Sequence, residues 1–187
     1  SFNIDKDKII SYSNVSVDNY NKLVRNIFFN NPKEKFVKGE NLIFGSSVKL
    51  TSLNSVFMDN KKYYYSNDEV KVINVSKEMV TMNFIENYNK INLQTFFPEK
   101  KFEVYKLCIE NDIKVSSTIY VITNEYYPKF KLYFENCYKV ISEYIEKNRI
   151  SKKLISELWD IYYTIKNTLN TPIKYSYALT VYKSQGS

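Results

Sequence analysis

Tyr177-Ala178-Leu179-Thr180-Val181-Tyr182-Lys183-Ser184-Gln185-Gly186-Ser187 is the stretch with the densest chemistry in this chain of 187 residues. Tyr175, Tyr177, Leu179 and Val181 alternate with Ser176, Ala178 and Thr180, the period-2 pattern of a strand. The second face carries only small residues, so another backbone or a ligand can approach it closely. The strand runs into a hydroxyl, a cation, an amide and a glycine. Ser184 and Lys183 are suited to holding phosphate oxygens. Gly186, lacking a Cβ, lets a backbone N–H come close to a phosphate.

Upstream of this strand the pattern is helical. Pro128 suits a first helical position, and Phe130, Phe134, Cys137, Tyr138, Ile141 and Ile145 form one apolar stripe. A second helix is expected from Ser151, with Leu154, Leu158, Ile161 and Ile165 on one face and Trp159 beside it, ending at Thr171-Pro172. Residues 34–127 read instead as short strands between polar turns: Asn41–Phe44, Ser55–Met58, Lys62–Tyr65, Val70–Val75, Val80–Phe84, Ile91–Phe96, Phe102–Cys108 and Thr118–Thr123. Strands at this spacing predict a small antiparallel barrel. The chain opens on a strand over Lys8–Ser13. A helix follows, with Asn14 and Ser16 as capping oxygens, Asp18 in its first turn and Val17, Tyr20, Val24, Ile27 and Phe28 at helical spacing.

Composition narrows the chemistry. There is no His, which excludes Ser-His-Asp triads, Cys-His pairs and His-ligated zinc. Three glycines, at 39, 45 and 186, exclude a phosphate loop of the Walker A type and a GxGxxG turn. Cys108 and Cys137 form no CxxC and read as free thiols of an intracellular, reducing compartment, such as a bacterial, phage or viral-factory cytoplasm or a nucleus. No signal peptide and no membrane-length apolar run is present, so neither secretion nor a membrane partner is expected. Ser1 and Ser187 give the chain the look of a piece of something larger. The net charge is +7, but Lys, Asn, Ile and Tyr are all abundant, so much of the Lys excess reflects an AT-rich coding sequence. The charge is nonetheless uneven. Residues 1–50 carry 8 basic and 5 acidic groups, 51–150 carry 14 and 13, and 151–187 carry 5 and 2.

Two blocks in these basic end segments resemble known motifs. Thr180, Lys183, Ser184, Gln185 and Gly186 together resemble motif V of superfamily-one DNA helicases of the RecD-like and Dda-like type, T-x-H-K-[SA]-Q-G. Ser13 through Arg25 (Ser13-Asn14-Val15-Ser16-Val17, then Asn21 and Arg25) resembles the family's motif IV, T-N-x-x-V-x-x-x-N-x-x-x-R. Between them, Phe36–Ile43 and Tyr65–Val72 resemble the first strand and a hairpin of an SH3-like barrel that interrupts the second RecA-like domain in these enzymes. Asp68 stands where Gly is common. The helices with Trp159 are loosely similar to a Dda-like extension. Tyr182 departs from the family, which usually has His there. Tyr stacks on a base but does not become a cation near neutral pH.

The resemblance implies an α+β chain: partial RecA-like strand–helix elements at both ends, flanking an inserted SH3-like small β-barrel and a helical hairpin. Residues 1–33 would begin the second RecA-like domain, 34–127 form the barrel, 128–170 the helical extension and 171–187 the return. It implies a fragment of an ATP-dependent helicase that travels 5′ to 3′ on single-stranded DNA and unwinds duplex. Its partners would be single-stranded DNA and the rest of its own chain. ATP and Mg²⁺ would be cofactors of the complete protein, not bound by this piece alone, which lacks catalytic residues and should be inactive by itself. Asn14, Thr180, Tyr182 and Lys183 would face DNA, Gln185 and Gly186 the nucleotide, and Arg25 would brace the motif IV helix. Lys61, Lys62, Tyr63 and Tyr64 interleave charge with aromatics as a single-strand platform would; as residues alone they also fit a solvated Lys pair before a half-buried strand. The competing readings are a non-enzymatic SH3-like module that binds nucleic acid or protein, and a structural subunit of an AT-rich virus.

Overall fold

Ile9–Ser11 (β1) and Ala178–Thr180 (β11) lie at opposite ends of the sequence yet pair in parallel, Ile10 opposite Leu179. The computed structural model in which they meet describes residues 2–53, 62–85 and 87–181. Helix α1 (Asn14–Phe28) follows β1 directly. Its cap is Ser13, whose Oγ accepts from the Ser16 N–H at 3.1 Å, rather than Asn14 or Ser16, and its first turn holds no acidic residue. Asp18 therefore lies past the part of the helix where the dipole is felt.

The described residues between α1 and β11 form a second, larger unit. Its frame is a five-stranded antiparallel sheet, built from β2 (Asn41–Phe44), β5 (Glu69–Met82), β8 (Lys100–Glu110), β9 (Ser116–Ile122) and β10 (Ile173–Tyr175) in the order β10-β2-β5-β8-β9. Short antiparallel pairs join β3 (Val48–Leu50) to β4 (Lys62–Tyr64) and β6 (Asn87–Tyr88) to β7 (Ile91–Asn92). The chain is thus mixed α and β, as expected. The expected strands over Val70–Val75 and Val80–Phe84 are one long strand, β5, because β8 offers it a continuous partner. Ile91–Phe96 is only partly strand: it turns into a 3₁₀ segment at Leu93–Thr95, capped by the Asn92 side chain. Ser55–Met58 lies outside the described residues.

A register shift between Val72 and Asn74 inserts one extra residue into β5. Such a bulge changes which side chains share a face. Val70, Val72 and Val75 then join Tyr105, Leu107, Ile109, Ile119 and Val121 in one apolar cluster, with Leu42, Phe44, Val48, Leu50 and Phe36 closing over it. Val80, Met82, Phe102, Val104 and Ile122 belong to a separate cluster. That cluster is covered by α2 (Tyr127–Asn148) and α3 (Lys152–Leu169), through Phe130, Phe134, Ile141, Leu158 and Ile165. Cys137 is buried there, and burial pushes its thiol up to about 11, while Cys108 is half-buried; both are free. Helix α3 begins one residue after the expected start, with Ser151 as its cap, accepting from the Leu154 N–H at 3.2 Å.

The expected single strand over Tyr175–Val181 is in fact two strands in two sheets. Tyr175 ends β10, and Ala178 begins β11. Ser176, Tyr177 and Ala178 between them are fully buried. The small residues are needed there because the chain crosses from one unit to the other through a packed interior. No described helix is long and apolar enough to cross a membrane.

Candidate functional site

The motif IV-like block, in α1, meets β11, the strand that carries Thr180 of the second block. Asn21 makes the junction. From two turns inside α1, its amide nitrogen donates to the Ala178 carbonyl at 3.3 Å, and its oxygen accepts from the Ala178 N–H at 2.8 Å. Asn21 is 4% exposed. A two-way bond of a side-chain amide to one peptide unit fixes helix and strand in both distance and rotation. Asn21→Ala would leave a buried N–H and a buried C=O unpaired, at about 1–3 kcal/mol for each orphaned group. We expect Asn21→Ala to lose about 2–4 kcal/mol of stability in urea unfolding, with Asn21→Asp intermediate because its acceptor oxygen survives. A loss below about 1 kcal/mol in the Ala variant would mean that water replaces the amide.

Arg25, one turn further on, reaches a different partner. Its Nε donates to Glu40 Oε1 and its terminal nitrogen to the Glu34 carbonyl, and its guanidinium lies 5.0 Å from the centre of the Tyr175 ring. The Glu40 side chain is wholly buried. Its second oxygen accepts from the Val37 N–H at 2.9 Å. Burial pushes the Glu40 carboxyl above its ordinary value, against the opposing pull of Val37 and Arg25. The chain can enter this pocket because Gly39 holds φ +90°, a left-handed conformation that costs a glycine nothing. Tyr175 donates its hydroxyl to the Lys35 carbonyl. Tyr177 stacks on Tyr175 at 6.3 Å and accepts from the Asn41 N–H at 3.2 Å. Arg25 thus ties α1 to the first residues of the larger unit.

Of the residues expected to face DNA, Asn14 and Thr180 line one shallow cleft of about 30 Å³, together with Asp18, Lys174 and Leu179. Asn14 is exposed and Thr180 half-buried. Tyr182, Lys183, Gln185 and Gly186 lie outside the described residues, so the nucleotide-facing pair and two of the four DNA-facing residues have no described geometry. The expected platform falls in another cleft. Lys61 lies outside the described residues. Lys62 donates to Ser117 Oγ at 3.1 Å. Tyr64 stacks flat on Phe44, with ring centres 4.2 Å apart, so its ring has a partner already. Tyr63 alone keeps an open ring, at 62% exposure. Among the described residues no group of His, Cys, Asp and Glu is arranged to hold a metal ion.

Sequence reasoning placed Asn21 inside the motif IV pattern without a role, and it missed Glu40 altogether. The one signal for Glu40 was Gly39 beside a lone carboxylate in an apolar run, which is weak on its own.

No protein-family model matches the chain. It is 24% identical over 194 aligned residues to the uncharacterized protein R530 of Acanthamoeba polyphaga mimivirus. The alignment covers 96% of this chain and 39% of that protein, so the chain spans well under half of its relative's length.

Proposed function

We propose that this chain is the part of a superfamily-one, ATP-dependent DNA helicase that carries its motif IV-like and motif V-like blocks, supplying contacts to single-stranded DNA and coupling them to the nucleotide. One observation supports the reading. The motif IV-like block and the strand that leads into the motif V-like block, more than 150 residues apart in sequence, form one strand–helix–strand unit clasped by Asn21. All the intervening chain is inserted between its two parallel strands. Parallel strands are normally buried on both faces. Here Ile10 is 49% exposed, and Val15, Leu23 and Ile27 on α1 are 71%, 54% and 67% exposed. An apolar surface of this kind fits a unit that is completed by further strands and helices of a RecA-like domain. The five-stranded sheet and the α2–α3 hairpin correspond in this reading to the SH3-like insert and its helical extension.

In such a motor Asn14 and Thr180 would touch the DNA backbone from their shared cleft, and Lys183 would add a phosphate contact with Tyr182 stacking on a base. Asn21 would transmit movement of the strand end to α1. ATP with Mg²⁺ supplies the energy for stepping. It would be held mainly by elements outside this chain, with Gln185 and Gly186 facing it.

The test is binding of a labelled oligo-dT strand by the 187-residue chain as salt is varied. We expect weak binding whose affinity falls steeply with salt, since each phosphate contact releases counterions. Lys183→Ala should reduce the salt slope by about 1 and Asn14→Ala should weaken binding severalfold. The chain by itself should not hydrolyse ATP. Binding unaffected by either substitution, or DNA-stimulated ATPase activity of the isolated chain, would overturn the reading.

A further inference from the structure

The groove between β4 and the turn joining β8 to β9 is chemically unlike the cleft at Asn14 and Thr180, and the helicase reading leaves it unused. Its central part is a cleft of about 400 Å³, lined by Tyr63, Asn67, Asp68, Glu69, Asn111 and Asp112 among others. No Lys or Arg lines that part among the described residues. Glu69 is paired with Lys8 at 2.9 Å. Asp68 and Asp112 have no ion-pair partner there, although Asp68 accepts from the Tyr65 N–H at 2.7 Å and Asp112 from the neighbouring Ile113 N–H at 2.9 Å. Asn67 Oδ1 is buried without a hydrogen-bond partner among the described residues. The lining thus offers acceptors and negative charge beside an open tyrosine face.

The groove continues into a cleft of about 270 Å³ with an apolar floor, Val70, Ile109 and Val115, between Tyr63 and Lys62 on one side and Ser117 on the other, the Lys62 ammonium being held by Ser117 Oγ at 3.1 Å. Ser117 of β9 lines this cleft, and the outer edge of the same strand lies next to it in sequence. The Tyr120 carbonyl accepts from the Thr171 N–H at 2.8 Å, so the backbone of Tyr120 points away from β8. Backbone groups two residues apart on a strand point to the same edge. Thr118 therefore presents its N–H and C=O outward, and neither finds a backbone partner among the described residues. An unpaired edge beside an apolar floor is a template for an added strand.

We propose that this groove docks an extended, basic polypeptide segment, which adds along the Ser116–Thr118 edge and places an Arg or Lys side chain among Tyr63, Asp68 and Asp112. Charge selects the occupant. A guanidinium or ammonium meets carboxylates and an aromatic face, both of which favour a cation. A nucleic-acid strand in the same place would bring phosphates against Asp68, Glu69 and Asp112. The proposal does not depend on the helicase reading.

The experiment uses the isotope-labelled chain, followed by the shifts of its backbone amides. Three probes are titrated: a peptide of about twelve residues alternating Arg with Val, its counterpart with Glu for Arg, and an oligo-dT strand. The Arg peptide is expected to bind saturably and move the amides of Tyr63, Asp68, Asp112 and Thr118. The double variant Asp68→Asn/Asp112→Asn should weaken it about tenfold, and Tyr63→Ala severalfold. Asp112 and Tyr63 are exposed, so Asp112→Asn and Tyr63→Ala should leave thermal unfolding unchanged even where Asp68→Asn disturbs the turn. The proposal is overturned by any of four results: no binding of the Arg peptide, equal binding of the Glu peptide, oligo-dT moving the same amides, or unchanged affinity in both the double variant and Tyr63→Ala.

Discussion

Arg25→Ala should cost about 3–5 kcal/mol of stability, the penalty typical of removing one partner from a buried ion pair. Glu40 has no exposed side-chain surface, so water cannot readily replace the guanidinium. Its carboxylate would keep only the Val37 N–H. The Glu34 carbonyl and the Tyr175 ring would lose their cation in the same step. For a chain of this length each kcal/mol moves the midpoint of thermal unfolding by roughly 2–4 °C. The effect has a pH signature. Burial already holds the Glu40 carboxyl above its ordinary value, and loss of Arg25 raises it further. A carboxyl raised in the folded state binds its proton more tightly there, so the cost of the charged form is present above the raised value and is relieved as pH falls through it. Urea unfolding at pH 7 and near pH 5 should therefore show the deficit of Arg25→Ala shrinking on acidification. Arg25→Met with Glu40→Leu should be far milder than Arg25→Ala alone, because it removes both charges together. A deficit below about 1 kcal/mol for Arg25→Ala would show the pair to be solvated.

Alkaline unfolding is the second large effect. Burial pushes the hydroxyls of Tyr162 and Tyr175 from the ordinary 10 to about 12, and those of Tyr133 and Tyr177 higher still. These hydroxyls are also engaged. Tyr162 donates to the Phe134 carbonyl at 3.1 Å and Tyr133 to the Pro98 carbonyl at 2.9 Å. A tyrosine that ionises later in the folded chain favours the folded state fully below pH 10. That contribution is lost as pH rises from 10 towards the folded value. A shift from 10 to about 12 corresponds to at most about 2.7 kcal/mol per group. Tyrosinate absorbance should consequently rise in two phases. The second should coincide with loss of helical circular dichroism, because these four can ionise only as the core opens. Tyr162→Phe keeps the ring packing and should diminish only the second phase. Complete ionisation of all tyrosines with the circular dichroism intact would contradict this burial.

The elements were largely legible because they rest on local rules. The Ser151 cap, the Pro128 start, the apolar stripes of α2 and α3 and the bounds of β2 follow from propensity and periodicity, which act within a few residues. The errors fall where a distant partner overrides the local signal. Two expected strands merged into β5 because β8 runs alongside both of them. The bulge at Ile73, which redistributes side chains between two cores, is marked only by a slip of phase in the alternation, apolar at 70 and 72 but then at 73 and 75. The strand read over Tyr175–Val181 broke in two because β2 pairs with its first part and β1 with its last. For the site, the sequence pattern singled out Asn14, Arg25 and Thr180, but not what Asn21 and Glu40 do, since both act on residues far away in the chain.

By itself, then, the sequence determined the classes of chemistry open to this chain, the order of its elements and the two motif-bearing ends. These depend on residue identity and on spacings of two to four residues. Only the tertiary structure decided that the strands at those ends pair in one parallel unit held by Asn21, that the Arg25–Glu40 pair locks it to the inserted sheet, and that Asp68, Glu69 and Asp112 gather in a cleft beside Tyr63. Each of these rests on hydrogen bonds and burial between residues many positions apart, and such pairings have no period for a sequence to display.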